Sequence, residues 1–307
     1  MSQKIKKLSL IFSFYNEEEC INASISELES VLGNIEYIDY ELIFVNDHSS
    51  DNSLKLLLEA RKNNNKIKII NLSRRFGVYP GIMAGIKSCT GDALIYMDID
   101  LQDPPELIPE MVKLWIEDEY DVIITTRSKR EGENILKIFI SYIAYLFLKN
   151  TVSIDIFRNS GDFRLISRRV INKYINFVEI EPFFRFLVDW IGFKRKQIFY
   201  VRRPRNYGKS KFPFGFKKIN QYFDVFLTPF SDFPLKFIFF TGLIIMIFSS
   251  IFSFYLAFNS KSIFEIVLIL IVGLQSFFLG LLSIYIGSVF KESKKRPLYI
   301  IENKVGF

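Results

Sequence analysis

The chain has 307 residues, of which 50% are hydrophobic and 24% charged, and its formal net charge is +7. This apolar content excludes a disordered chain, and 15 Gly with 2 Cys exclude collagen-like and disulfide-stabilised classes, so Cys20 and Cys89 are expected to be free thiols. Because the sequence has a single histidine, acid–base or metal chemistry must rest on carboxylates rather than on a His-rich site or a Ser-His-Asp triad.

Short β-rich runs alternate with helical patterns before residue 200. The predicted strands cover residues 8–14, 40–46, 68–72, 93–98 and 122–125. The predicted helices cover residues 20–32, 53–62, 80–87, 106–117 and 135–149. This order predicts an α/β domain with a mostly parallel sheet, in which ligands bind beyond the carboxyl ends of the strands. The segments where a site is expected are therefore 15–18, 47–51, 73–77 and 98–103.

Polar turns follow the first two predicted strands. Tyr15 and Glu17 come after the first strand, and Asp47 opens the sequence DHSSD after the second. Both turns are candidate binding segments at the expected edge of the sheet. The alternative is a structural role, in which an Asp or Ser caps the helix before Leu54 and the first turn caps the helix that begins at Cys20.

Acidic residues end the fourth predicted strand in the sequence MDIDLQDPPE. Strand alternation predicts that the side chains of Asp98 and Asp100 point to the same side. Two such carboxylates repel each other unless a cation joins them, and Mg²⁺ or Mn²⁺ suits oxygen ligands that include a substrate diphosphate. Gln102 could add a further oxygen. The alternative is an ordinary pair of acidic residues on the surface.

A basic segment, RRPRNYGKSKF, occupies residues 202–212, and two further arginines follow the fifth predicted strand. Guanidinium groups bind phosphate in a bidentate manner and lysine adds a point charge, so the segment is a candidate phosphate site. The alternatives are a solvated charged run and a patch for anionic lipids. A P-loop is excluded, because Arg203 stands where that motif requires glycine. In the separate sequence SGDFR at residues 160–164, Asp162 and Arg164 by themselves indicate only an ordinary pair on a strand.

Two uncharged runs, residues 237–258 and 266–290, each exceed the roughly 20 residues that a helix needs to cross a bilayer. They predict two transmembrane helices, the alternative being two buried helices of a soluble core. Lysines and one arginine flank the pair on its outer sides, which predicts that both termini are cytoplasmic. Residues 214–229 predict an amphipathic helix, either in the membrane interface or packed on the protein.

The expected domains are thus residues 1–212, a juxtamembrane segment at 213–235, a transmembrane pair at 236–290 and a tail at 291–307. The lysines and arginines near the hydrophobic runs account for the net charge of +7, so no nucleic-acid partner is expected.

Together and in this order, the motifs resemble those of bacterial polyprenyl-phosphate glycosyltransferases, the part of glycosyltransferase family 2 related to dolichyl-phosphate mannose synthase. The matching strings are FSFYNEEE, FVNDHSSDNS, LSRRFG, GDALIYMDIDLQDPPE, SGDFRLISRR, RRPRNYGKSKF and KESKKRPLYI. The resemblance runs from about residue 8 to 300 and includes both predicted spans. It implies a nucleotide-binding fold of the glycosyltransferase A type.

The resemblance also implies roles for individual residues. Asp47 would contact the base of a nucleoside diphosphate with help from Tyr15 and Glu17, and Asp98 would lie near the ribose or the metal. Asp100 and Gln102 would bind a divalent cation, Mg²⁺ or Mn²⁺. Asp162 would stand near the reacting centre, where relatives often have the catalytic base. The diphosphate and the lipid phosphate would contact Arg127, Arg130, Arg202, Arg205, Lys209, Ser210 and Lys211.

Two departures from the family pattern are visible. Ser13 stands where many relatives have proline. His48 stands where they have glycine, and a glycine there could adopt a positive φ at little cost. The replacement puts the shape of the base-binding turn in question and could change the base or sugar accepted.

The expected activity is inverting transfer of one sugar from a nucleotide donor, a UDP-sugar, to undecaprenyl phosphate at the cytoplasmic face of the bacterial inner membrane. The resemblance implies a homo-oligomer, a tetramer in relatives, in contact with the bilayer. One alternative is a processive polysaccharide synthase, which would carry a Q-x-x-R-W element and more spans than this sequence has. The other is a membrane-anchored protein that binds nucleotide sugars without catalysis.

Overall fold

The computed structural model describes residues 5–128, 157, 160–177, 184–204 and 293–307, with scattered helical positions between 241 and 290. The strands are β1 Lys6–Phe14, β2 Ile38–Asn46, β3 Ile67–Leu72, β4 Ala93–Tyr96, β5 Val122–Arg127, β6 Ser160–Ser167, β7 Arg195–Tyr200 and β8 Ile301–Val305. The helices are α1 Glu18–Gly33, α2 Ser53–Asn63, α3 Val78–Ser88, α4 Ile108–Ile116, α5 Arg168–Tyr174 and α6 Phe184–Ile191, and a 3₁₀ turn at Pro105–Leu107 leads into α4.

The eight strands form one sheet in the order β7-β5-β6-β4-β1-β2-β3-β8. Strands β1 to β4 are mutually parallel, and β7 is parallel to β5. Strand β6 runs antiparallel to both β4 and β5, and β8 runs antiparallel to β3. The α/β class with a mostly parallel sheet is therefore confirmed, whereas the antiparallel strands β6 and β8 were not among the predicted elements.

The central strands are buried on both faces, which their apolar sequences require. Residues from Leu8 to Phe14 in β1 and from Glu41 to Asn46 in β2 are all buried. Helix α3 packs close to β1, because a Cβ atom at Gly85 would lie 2.4 Å from Ile11 Cγ2 and one at Gly81 would lie 2.1 Å from Ser13 Oγ. Two glycines one helical turn apart thus give α3 its close approach to the sheet.

A charged side chain lies inside this apolar layer. Glu41 of β2, whose side chain is only 2% exposed, accepts hydrogen bonds from Ser9 Oγ at 2.6 Å and from the backbone N–H of Thr90 at 2.7 Å. Lys68 Nζ lies 2.7 Å from it and Lys7 Nζ 3.2 Å. Each oxygen of the buried carboxylate therefore has partners, as burial of a charge requires.

The chain divides into two compact units. The first consists of Met1–Tyr145, Ile154–Phe212 and Pro297–Phe307, and the second of Leu146–Ser153 and Pro213–Arg296. The sheet with its helices belongs to the first unit. Cys20 and Cys89 are buried and form no disulfide with each other.

The predicted helix at 135–149, the amphipathic helix at 214–229 and most of the two hydrophobic runs lie outside the described residues. Within the described part of the chain, no helix has the length and apolar character needed to span a membrane. The predicted boundaries at 213–235, 236–290 and 291–307 stay predictions.

Candidate active site

The loops that follow β1, β2, β3 and β4 meet at one edge of the sheet, because these four strands are parallel and their carboxyl ends coincide. All four segments singled out in the sequence lie there, and the first two of them are directly joined. The backbone N–H of Asn16 donates to Ser49 Oγ at 2.9 Å, and that of Ser50 donates to Asn16 Oδ1 at 2.8 Å. The site is thus built on loops held together by polar contacts.

The acidic segment differs from its prediction in one respect. Strand β4 ends at Tyr96, so strand alternation does not govern the directions of Asp98 and Asp100. The chain turns instead, with Leu101 in the left-handed region at φ 56°. The Asp98 side chain is half-exposed, whereas Asp100 is buried. A bulky residue at positive φ costs about 1–3 kcal/mol, and such strain is concentrated at functional sites.

Asp98 lies where several carboxylates converge. Its Oδ1 accepts a hydrogen bond from the hydroxyl of the buried Tyr96 at 3.1 Å. Desolvation, followed by repulsion from Asp103, Asp100 and Asp162, raises the pKa of Asp98 to about 7. Since 47% of its side-chain surface is exposed, water moderates both effects. The ionised form is therefore disfavoured, although the charge of Arg202 acts in the opposite direction.

Asp103 lies within the predicted segment 98–103, but the sequence assigned it no role in the site. Its carboxylate is buried and accepts a hydrogen bond from the hydroxyl of Tyr200, which in turn accepts one from Arg127 Nε at 3.4 Å. Desolvation raises the pKa of Asp103 above its ordinary value, although Tyr200, Arg202 and Arg127 act in the opposite direction. The position of Asp103 three residues after Asp100, in a DPP sequence, was the available signal.

The basic segment after β7 meets these carboxylates. Arg202 Nη2 lies 3.8 Å from Asp98 Oδ2, and Arg202 Nε lies 3.6 Å from Asp103 Oδ1. The adjacent Arg203 is directed elsewhere, to Glu27 at 2.6 Å and to Glu106. Neither described arginine belongs to a freely solvated run, so that alternative is wrong for this part of the segment.

Backbone contacts reinforce this approach. The N–H of Arg203 donates to the carbonyl of Gln102 at 2.9 Å, and Gln102 Nε2 lies 3.4 Å from the carbonyl oxygen of Arg203. The acidic turn and the basic segment are therefore fixed to each other at residues 102 and 203.

Asp162 reaches the site through the antiparallel strand β6. Ile95 pairs with Leu165 and Tyr96 with Arg164, so β6 carries Asp162 towards the turn that follows β4. The Asp162 carboxylate lies close enough to Asp98 to contribute to its raised pKa. The buried Oδ1 of Asp162 has no hydrogen-bond partner among the described residues. It is thus an acceptor available to a ligand, next to the half-exposed Asp98.

Arg164 does not form the ordinary strand pair with Asp162 that the sequence suggested. Its guanidinium group is fully buried and lies 2.9 Å from Asp189 Oδ1 of α6. Arg164 Nε also donates to the carbonyl of Gly161 at 3.1 Å. The arginine therefore fixes the start of β6, next to Asp162.

On the other side of the site, Asp47 fixes a loop. Its Oδ1 accepts a hydrogen bond from the N–H of Phe76 at 2.7 Å, and its Oδ2 accepts one from the N–H of Gly77 at 2.9 Å. Desolvation raises the pKa of Asp47 above its ordinary value, although these two bonds oppose the effect. His48 adopts φ 60°, a left-handed conformation that glycine would adopt freely.

The capping alternative holds for part of these turns. Asp51 accepts a hydrogen bond from the N–H of Ser53 at 3.0 Å and one from the N–H of Glu18 at 3.2 Å, so its carboxylate satisfies the first N–H group of both α2 and α1. Glu17 is buried and its backbone N–H donates to Ser53 Oγ. Tyr15 remains partly open, and the guanidinium carbon of Arg75 lies 4.1 Å from the centre of its ring.

The donor set fits a divalent cation. Asp98 and Asp100 supply hard oxygen ligands, and Gln102 Oε1 accepts no hydrogen bond from the described residues. Desolvation and the neighbouring carboxylates raise the pKa of Asp98 in spite of Arg202, so a further positive charge is favourable at this point. Among the described residues, no group of three or more Asp, Glu, His or Cys side chains forms a complete ligand set.

The remaining predicted phosphate-binding residues, Arg130, Arg205, Lys209, Ser210 and Lys211, lie outside the described residues. Their proximity to the acidic turn stays a prediction.

The sequence is also similar to those of known proteins. Residues 9–175, more than half of the chain, match the model of the family "Glycosyl transferase family 2". The chain is 36% identical to an uncharacterized glycosyltransferase, YkcC, of Bacillus subtilis (strain 168). The alignment covers 100% of this chain and 96% of that protein. It is 31% identical to the prophage bactoprenol glucosyl transferase homolog of Escherichia coli (strain K12), with 96% of this chain and 98% of that protein aligned.

A third relative is the undecaprenyl-phosphate 4-deoxy-4-formamido-L-arabinose transferase of Proteus mirabilis (strain HI4320). It is 32% identical to this chain, and the alignment covers 99% of this chain and 95% of that protein.

Proposed function

The chain is a member of glycosyl transferase family 2, and from this we propose that it transfers one sugar from a nucleotide donor, a UDP-sugar, to undecaprenyl phosphate. Relatives that align along nearly its whole length are named as bactoprenol glucosyl transferase and undecaprenyl-phosphate sugar transferase. The observation that carries the proposal is the contact of Arg202 with Asp98 and Asp103. This contact places an arginine proposed to bind phosphate beside a carboxylate proposed to bind the cation, and transfer between a diphosphate and a phosphate requires both groups together.

The acceptor determines which chemistry the side chains must supply. A phosphate monoester has a second pKa near 6 and is largely ionised at neutral pH, so no group has to remove its proton. The requirement is instead to hold two anions close together and in line for attack at the anomeric carbon, which inverts its configuration. Arg127 and Arg202 supply positive charge for this purpose, and an arginine fork suits phosphate oxygens.

Asp162 has a positioning role in this scheme. Its unpartnered oxygen accepts a hydrogen bond from a hydroxyl of the sugar and so orients the ring beside Asp98. Asp47 has acceptor capacity beyond its bonds to Phe76 and Gly77, because a carboxylate offers about four lone-pair sites, and it accepts an N–H from the base.

Asp98, Asp100 and Gln102 would hold a divalent cation, Mg²⁺ or Mn²⁺. One or two carboxylates suffice for such an ion when substrate phosphates complete its coordination. When bound, the ion supplies Lewis-acid neutralisation of the leaving diphosphate. The proposal also includes assembly as a homo-oligomer.

We further propose a location at the cytoplasmic face of the bacterial inner membrane, with the catalytic unit and the C-terminus on the same side. Strand β8 belongs to the catalytic sheet although it follows both hydrophobic runs. A chain that leaves this unit after Phe212 and returns at Pro297 can cross a bilayer only an even number of times. Two spans satisfy this condition, and the flanking positive charges support the cytoplasmic side.

The test is a donor screen with the purified full chain in detergent, undecaprenyl phosphate and radiolabelled nucleotide sugars. The proposal expects one labelled monosaccharide on a butanol-extractable lipid. A long polymer would support a processive synthase instead, and nucleotide-sugar binding without any product would support a non-catalytic role.

Variants test the assigned roles in the same assay. We expect Arg202→Ala to reduce transfer strongly, whereas Arg169→Ala, which removes a mostly exposed arginine paired with Asp121, should not. Transfer should stop on addition of EDTA and return with Mg²⁺ or Mn²⁺. Activity that is lost in Asp100→Ala yet insensitive to EDTA would contradict the cation. An Asp162→Leu enzyme, which has no acceptor oxygen at this position, would contradict the positioning role if it kept most of its turnover.

A further inference from the structure

The last strand of the chain lies next to the loops of the site. Strand β8 pairs antiparallel with β3 at the edge of the sheet, with Asn303 opposite Asn71. Just before β8, the carbonyl of Ile300 accepts a hydrogen bond from the N–H of Ser73 at 2.9 Å. Ser73 begins the loop whose end is bonded to Asp47, so the C-terminal segment directly contacts one of the candidate donor-binding loops.

Three asparagines connect β8 to the second loop. Asn46, Asn71 and Asn303 are neighbours in register on β2, β3 and β8. Asn71 Nδ2 donates to Asn303 Oδ1 at 2.6 Å, and Asn46 Nδ2 donates to Asn71 Oδ1 at 3.2 Å. At the other end, the N–H of Ser49 donates to Asn46 Oδ1 at 3.0 Å. The hydrogen bonds form one continuous asparagine ladder from the C-terminal strand to the turn that contains Asp47.

The ladder depends on its last member. Asn46 and Asn71 are buried, with only 3% and 4% of their surfaces exposed, so the amide group of Asn71 has little access to water. Without the Asn303 oxygen, the buried Nδ2 group of Asn71 would have no acceptor. Leaving a buried donor unsatisfied destabilises the fold by more than the hydrogen bond stabilises it. All three side-chain bonds run in the same direction, from Ser49 towards Asn303, so each polarises the next.

We propose that Asn303 is a positioning residue for donor binding, which acts through Asn71 and Asn46 on the turn at Asp47. The inference rests on the proposed function, because the proposed function assigns the nucleotide to that turn. The loop after β3 and the turn after β2 are already joined by the Asp47 carboxylate, so the C-terminal strand holds both from one side. The segment that returns from the hydrophobic runs thus completes the donor site.

The experiment uses the full chain in detergent with three variants. Asn303→Leu removes the acceptor at similar size, and Asn303→Asp keeps an oxygen in its position and should rescue. Glu302→Ala is the matched control on the same strand, since the exposed Glu302 side chain makes no hydrogen bond or ion pair with the described residues. The measurements are the Kd for UDP with Mg²⁺, the kcat at saturating donor, the Tm, and hydrogen exchange of the amides at 47–53 and 73–77.

We expect Asn303→Leu to raise the Kd for UDP about fivefold and to speed exchange in both loops about tenfold, with kcat unchanged. Asn303→Asp and Glu302→Ala should stay within about twofold of the wild type in Kd. The proposal would be overturned if the loop amides exchanged at the same rate in Asn303→Leu and in the wild type. It would also be overturned if all three variants lost the same affinity for UDP, because that result would indicate a general effect on the edge strand. A wild-type chain that binds no UDP would refute the proposed donor, while loop exchange would still decide the role of Asn303.

Discussion

Glu41 provides a quantitative test of the structure, because the pH dependence of stability follows from its contacts. Burial alone raises the pKa of Glu41, but hydrogen bonds from Lys68, Ser9 and Thr90 outweigh burial and lower it from 4.5 to about 2. A folded-state pKa below the unfolded value means that Glu41 stabilises the fold above pH 4.5 and that this stabilisation is lost as the pH falls through about 2. The shift corresponds to about 3 kcal/mol at neutral pH.

The perturbation is Glu41→Gln, which cannot ionise and places an amide donor where the wild type has an acceptor. We expect this change to lower the free energy of unfolding by about 3 kcal/mol at pH 7 and by about 1 kcal/mol at pH 3. The cost is smaller at pH 3 because the wild type has already lost about 2 kcal/mol of the stabilisation from the Glu41 carboxylate at that pH. Urea unfolding of the full chain in detergent, followed by the fluorescence of the buried Trp115, measures the difference.

The control is Asp39→Asn on the same strand. Asp39 lies 3.0 Å from Lys66, but its side chain is 52% exposed, so the change should cost less than about 1 kcal/mol. The reasoning is refuted if Glu41→Gln costs no more than this control at pH 7, or if its cost is the same at pH 7 and pH 3.

Three further predictions concern single contacts. Ser13→Ala should raise the free energy of unfolding by about 1 kcal/mol, because Ser13 Oγ is buried without a hydrogen-bond partner among the described residues; a loss in urea unfolding would contradict this. His48→Gly should add about 0.5–1 kcal/mol by relieving the positive φ, which thermal unfolding measures, and a lower Tm would speak against strain there. Tyr200→Phe should lower the free energy of unfolding by about 1–3 kcal/mol and also reduce sugar transfer, because the buried Asp103 loses its hydrogen-bond donor. Wild-type values in both assays would exclude the role assigned to Tyr200.

The sequence by itself determined the framework of the site. Alternating strand and helix patterns predicted β1 to β5 and α1 to α4 within a few residues, because each pattern is local and repeats with its own period. Parallel strands place their carboxyl ends together, so the turns with Tyr15, Asp47 and Asp98 could be assigned to one edge without coordinates. The family followed from the order of these motifs, and the comparisons confirmed it.

Side-chain directions beyond the strand ends were decided only by the folded chain. Alternation is a property of extended backbone, and it stops at Tyr96, so the sequence could not separate a half-exposed Asp98 from a buried Asp100. The adjacent Arg202 and Arg203 have the same chemistry but different partners, which depend on what lies nearby in space.

Pairing between remote segments was also beyond the sequence. Strand β6 inserts antiparallel between β4 and β5 and so brings Asp162 to Asp98, and β8 joins β3 across a separation of 232 residues at the asparagine contact. Any edge strand has unpaired backbone groups that can bind a further strand. The local sequence does not show which strand lies at the edge, because this depends on how all the other strands pair. Local patterns therefore specified the elements, whereas the tertiary structure decided which of them complete the site.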